Sequence, residues 1–132
     1  MIGRVFLRTF FLLGLSVSVP ALSHHSFLAQ YNEDTSFRIE GAVTEVWYQN
    51  PHARVYVEVV NDDGETEVWE TETYPRNILA RRGWQHDDLV VGDDVVVTGR
   101  RARDGGNRLQ ILSITRPSDG WQGIGFSPDS ID

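Results

Sequence analysis

Cysteine is absent from the 132 residues, and so is lysine. The first absence removes disulfides, thiolate metal ligands and thiol nucleophiles. The second leaves arginine as the only strong base, and the 12 arginines are outnumbered by 19 acidic residues, for a net charge of −7. Such a balance repels nucleic acid and offers no basic stripe along which phosphates are tracked. Nucleic acid is therefore not expected among the partners. A negative domain favours solubility and draws cations towards any cleft. Also missing are an EF-hand spacing, a His-Glu-x-x-His pair, a nucleophile elbow and a phosphate-binding glycine loop. Asp104-Gly105-Gly106-Asn107 reads as a hairpin turn.

One long apolar run is present, and it stands at the start. Arg4 and Arg8 precede or interrupt it, Phe10–Val19 form its body, Pro20 ends it, and Ala21-Leu22-Ser23 supplies a small-x-small cleavage pattern. The run falls short of the ~20 residues a comfortable transmembrane helix needs. Residues 1–23 are thus expected to be a cleavable signal peptide, with no permanent membrane span left after cleavage and a periplasmic or secreted destination. All the acidic residues follow Ser23, and the remaining length suits one domain.

After Ser23 the chain reads as β structure. Residues 24–35 lack periodicity and are expected to form an N-terminal arm. Alternation then predicts strands over Ser36–Gln49, Arg54–Val60, Thr66–Thr71, Val95–Gly99 and Leu109–Ile114. Gly41 marks a bend or bulge in the first of these. Asp63-Gly64 turns a hairpin between the second and third. Pro75 opens a short helix with Ile78 and Leu79 on its buried face and Gly83 at its end. Three strands, a short helix and a closing hairpin give the OB-fold arrangement, so the expected fold is all-β: a small five-stranded OB-like barrel over 36–116, with one short helix between the third and fourth strands. A small open β-sandwich is the competing architecture. Residues 117–132 are expected to be a flexible tail on which Trp121, Ile124 and Phe126 are available to dock.

Several short motifs occur together: His24-His25-Ser26-Phe27 after the leader, Asn50-Pro51-His52 after the first strand, Arg81-Arg82-Gly83-Trp84 after the helix, and Leu89-x-x-Gly92-Asp93 before a valine-rich strand. In this combination the chain resembles an uncharacterised family of small exported bacterial proteins, domain of unknown function 6152. The resemblance implies an envelope location and a compact β domain, and it brings no activity with it. Ser23 departs from the alanine usual before the histidine pair in that family.

Cleavage after Ser23 makes His24 the first residue. Its α-amine, whose ordinary pKa is about 7.7–8.0, and its imidazole then chelate one ion. A second imidazole completes the T-shaped set of three nitrogens called a histidine brace, and nitrogen donors in tetragonal geometry suit Cu(II). His52 is the first choice for that second imidazole and His25 the next, so the expected metal ligands are His24, His52 and His25, with copper as the cofactor. The plainer readings are a frayed terminus for the pair and a hydrogen-bonded turn histidine for His52. His86, beside Asp87 and Asp88, reads as a solvent-exposed loop histidine.

Glu67, Glu70 and Glu72 along the third strand read as a solvated face. Since Glu70 alternates with Trp69, one of the two points into the barrel, and a carboxylate there needs a partner such as Arg54. Trp47, Tyr48, Tyr56 and Trp69 are core residues or a stacking surface. The alternative function is a non-catalytic OB-type binding module for an envelope protein, peptide or glycan, with Trp47 and Trp69 as its contacts. No catalytic residues are expected; an oxidative copper enzyme ranks below binding because the sequence shows neither an extended substrate surface nor an acid–base pair placed for turnover.

Overall fold

The structure, a computed structural model, describes residues 29–126. The expected signal peptide, with His24 and His25, and the end of the tail from 127 lie outside the described residues. Strands β1 (Phe37–Trp47), β2 (Arg54–Val60) and β3 (Thr66–Glu72) form an antiparallel meander, followed by helix α1 (Arg76–Arg81) and strands β4 (Asp94–Arg101), β5 (Arg108–Arg116) and β6 (Trp121–Ile124). The order β3-β2-β1-β4-β5-β6, with β3 also paired to β5, closes the first five strands into a barrel. This is the OB arrangement, with the short helix between β3 and β4 as expected from the sequence.

Closure rests on β1, which is long enough to serve two neighbours. Its first half, Phe37–Ala42, pairs with β4 and its second half, Ala42–Trp47, with β2. The strand therefore has to bend. A Cβ at Gly41 would lie 1.9 Å from the Glu58 carbonyl oxygen, so glycine is what lets β2 approach here. The bulge itself falls two residues after the next position, between Val43 and Glu45. Gly99 does the same for β4, where a Cβ would lie 2.3 Å from the Gln110 carbonyl oxygen. At the far seam Glu70, Thr71 and Glu72 run parallel to Arg108, Leu109 and Gln110.

Alternation fills the barrel. Val55 and Val57 from β2, Trp69 and Thr71 from β3, Val95 and Val97 from β4, and Leu109 and Ile111 from β5 are buried. Leu79 of α1 packs into the same cluster. Trp69 is the side chain that points inward, stacked on Phe37 at 5.2 Å; Glu70 points outward. Trp69 is therefore wall and core and is not available as a contact surface.

Residues 117–126 depart from the expected flexible tail. Gly120 turns the chain, and β6 pairs antiparallel with β5. Trp121 meets Trp84 edge-on at 5.2 Å, and Gly123 lies so close that a Cβ there would reach both rings. Packing of Trp121, partly buried, on the buried Trp84, a contact between distant parts of the chain, holds a segment whose own composition favours a loop.

Candidate functional site

The arm before β1 is stitched to the end of β4. Asn32 N–H donates to the Arg101 carbonyl at 2.9 Å, Arg103 N–H donates to the Gln30 carbonyl at 2.9 Å, and Tyr31 bridges Ala102. These bonds lay the Tyr31 side chain across the outside of the barrel near the β3–β5 seam, where it is almost wholly buried.

Beneath it lies Glu72. Period-two alternation puts Glu72 on the outward face with Val68 and Glu70, yet only 6% of it is exposed. The reading of Glu72 as part of a solvated face is thus corrected: the Tyr31 arm covers it, and Gln110, its partner across the parallel seam, is also fully buried. Taking a carboxylate out of water is costly unless its lone pairs are satisfied. Glu72 has three partners. Tyr31 OH donates to Oε2 at 3.0 Å, His52 Nδ1 lies 2.8 Å from Oε1, and an Arg54 terminal nitrogen lies 3.7 Å from Oε1. Arg54 is set opposite Glu72 by the β2–β3 register, and its Nε also lies 3.4 Å from Glu70 Oε1. Tyr56 OH donates to the other oxygen of Glu70 at 3.3 Å. Arg54 does partner Glu70, as expected for an inward carboxylate, but it does so on the outer face.

His52 follows Asn50-Pro51 on the turn from β1 to β2, as placed from the sequence. Its side chain is 27% exposed, and Nδ1 is the ring atom that meets Glu72. With the carboxylate as acceptor, Nδ1 carries a proton. Burial first, then the charge and hydrogen bond of Glu72, push the Tyr31 phenol well above its ordinary pKa. Tyr31 and Glu72, the two residues missed in the sequence, are thus what tie His52 to the arm. The signal available was only the polar, aromatic character of the arm itself.

The remaining candidates fall elsewhere. His86 is exposed, with Nδ1 2.6 Å from Asp87 Oδ1 and its ring edge-on to Tyr48. Tyr48 is tied down as structure, its hydroxyl donating to the backbone carbonyl of Trp84. No group of three or more His, Asp or Glu side chains suited to a metal occurs among the described residues. No helix among them is long and apolar enough to cross a membrane.

The model of a family of unknown function (DUF6152) matches residues 13–110. Among curated proteins none matches the chain. The crystal structure of a small single-stranded DNA-binding protein from Streptomyces coelicolor is similar at a TM-score of 0.42 and 20% identity, over 66% of this chain and 95% of that one. That likeness assigns no ligand to this barrel.

Proposed function

This chain belongs to the DUF6152 family, a family of unknown function, and we propose that it is an exported OB-type barrel that binds one Cu(II) ion through its processed N-terminus. The donors are the His24 α-amine and imidazole with His52, and His25 is a further ligand at hand. The observation that carries this reading is the shared carboxylate: Glu72 takes the Tyr31 hydroxyl of the arm and the Nδ1 edge of His52 at the same time. Metal-ligating histidines characteristically give their second ring nitrogen to a carboxylate, which fixes the tautomer and raises the basicity of the ligating nitrogen. His52 is held in that manner.

The arm's route supports the same reading. Only six residues lie between His24 and Tyr31, a tether whose greatest span is about 25 Å. Tyr31 is anchored on the carboxylate that also holds His52, so the tether begins beside the proposed ligand. Bound there, copper would be held by nitrogen donors on a negatively charged protein; binding, storage or delivery in the bacterial envelope follows more economically than turnover. The charge balance also argues against nucleic acid as a partner.

The test is to recover the protein from the envelope of a bacterium expressing the whole sequence, measure the mass of its N-terminus, and analyse that material for copper. A chain starting at His24, carrying about one copper and showing nitrogen hyperfine structure that changes in His52→Ala, supports the reading. A mature chain starting elsewhere, or one whose copper signal ignores His52, overturns it.

A further inference from the structure

The outer face of β1, β2 and β3 carries a second feature that the copper reading does not use. Outward positions of a small barrel are ordinarily polar, yet here each successive row of the sheet contributes one apolar side chain. Trp47 stands in register with Arg54, Tyr56 with Glu70, Val68 with Glu58, and Val60 with Thr66. Trp47, Val68 and Val60 are 41%, 52% and 68% exposed. Trp47 and Tyr56 meet edge-on at 6.5 Å, and the indole N–H donates to Glu45, which fixes the ring. Apolar side chains set row after row on the outer face of a sheet point to an interaction site.

Carboxylates flank the strip: Glu45 and Glu58 are exposed, and Glu70 is partly so. The one cation among them, Arg54, already faces Glu70 and Glu72. An anionic ligand or surface is disfavoured here, and a second copy of a chain with net charge −7 brings the same sign of charge. Spacing favours a peptide. Rows of a sheet advance two residues at a time, about 6.8 Å, the same step that separates side chains on one side of an extended segment. Two of the four apolar side chains are valines, which lack the flat ring on which a sugar stacks. We propose that this face docks an extended segment of a partner protein in which apolar residues alternate with lysine or arginine. The apolar side chains pack along Trp47, Tyr56, Val68 and Val60, and the long cationic ones lie over the strip with their heads at the flanking carboxylates.

The test uses the full mature protein and dye-labelled synthetic peptides alternating leucine with lysine, broken by serine against self-pairing. Anisotropy reads affinity, and backbone amide shifts locate the contact. Expected are binding at low salt, shifts centred on Trp47, Tyr56 and Val68, and affinity about tenfold weaker in the exposed-face variant Trp47→Ser/Val68→Thr. Added salt and Glu58→Gln weaken it further. Equal binding of a peptide with glutamate for lysine overturns the proposal. So do shifts elsewhere on the barrel, unaltered binding by the double variant, or a neutral oligosaccharide moving the same amides when the peptide does not. The peptide binds equally with and without added Cu(II), which separates this binding from the copper reading.

Discussion

Tyr31 and His52 meet on opposite oxygens of one buried carboxylate, Glu72, at 3.0 and 2.8 Å. The contact joins the arm to the β1–β2 turn across the outside of the barrel.

Glu72→Gln keeps the shape but leaves one oxygen where two donors converge. One donor then loses its acceptor in a buried setting, and Arg54 loses a counter-charge. Stability falls by about 1–3 kcal/mol, read by denaturant unfolding. If His52 is a copper ligand, affinity for Cu(II) falls by about 10–100-fold as well.

Tyr31→Phe removes the hydroxyl while keeping the ring, and costs about 1.5–3 kcal/mol at neutral pH, as for a hydrogen bond to a charged group. The pH profile adds a second signature. The Tyr31 pKa is raised in the folded state by burial first and then by Glu72, and burial also raises Tyr48 and Tyr56. A raised pKa means the folded state holds its proton longer, so this stability is complete below the unfolded value of about 10 and is lost as pH climbs beyond it. Unfolding free energy measured across the alkaline range declines in the parent protein and declines less steeply in Tyr31→Phe.

The tryptophans divide by face. Trp69→Ala empties the barrel wall beside Phe37 and costs about 3–5 kcal/mol. Trp47→Ala, on the exposed face, costs no more than about 1 kcal/mol. Thermal unfolding of the pair of variants checks this; similar losses would show that the assignment of inside and outside is mistaken.

Gln110 is fully buried at the seam, its Oε1 accepts from the Arg100 guanidinium at 3.2 Å, and its Nε2 has no hydrogen-bond partner among the described residues. Gln110→Met keeps the volume and removes a donor whose desolvation is uncompensated. Its stability stays within about 1 kcal/mol of the parent, in contrast to Glu72→Gln at its partner across the seam.

These residues show what the sequence made legible. Alternation at Val55, Val57 and Val59, the Asp63-Gly64 turn, and Pro75 before Ile78 and Leu79 are local signals, and they suffice for five strands and the helix of an OB-like barrel. Glu72 was misread because the same alternation assigns it to the solvent side. Its burial comes from Tyr31, forty-one positions away, and from a parallel seam that no local pattern announces. Strand β6 was missed for a similar reason: Trp121 and Gly123 are held by Trp84, and their neighbours favour a turn. His52 was legible as a loop histidine; the carboxylate that orients it was not.

The most direct measurement compares Cu(II) affinity of the chain beginning at His24 with the same chain carrying one extra residue before it, each with and without His52→Ala. The account predicts tight binding only when His24 is first, weakened by loss of His52. Equal, weak binding by the two forms would contradict it.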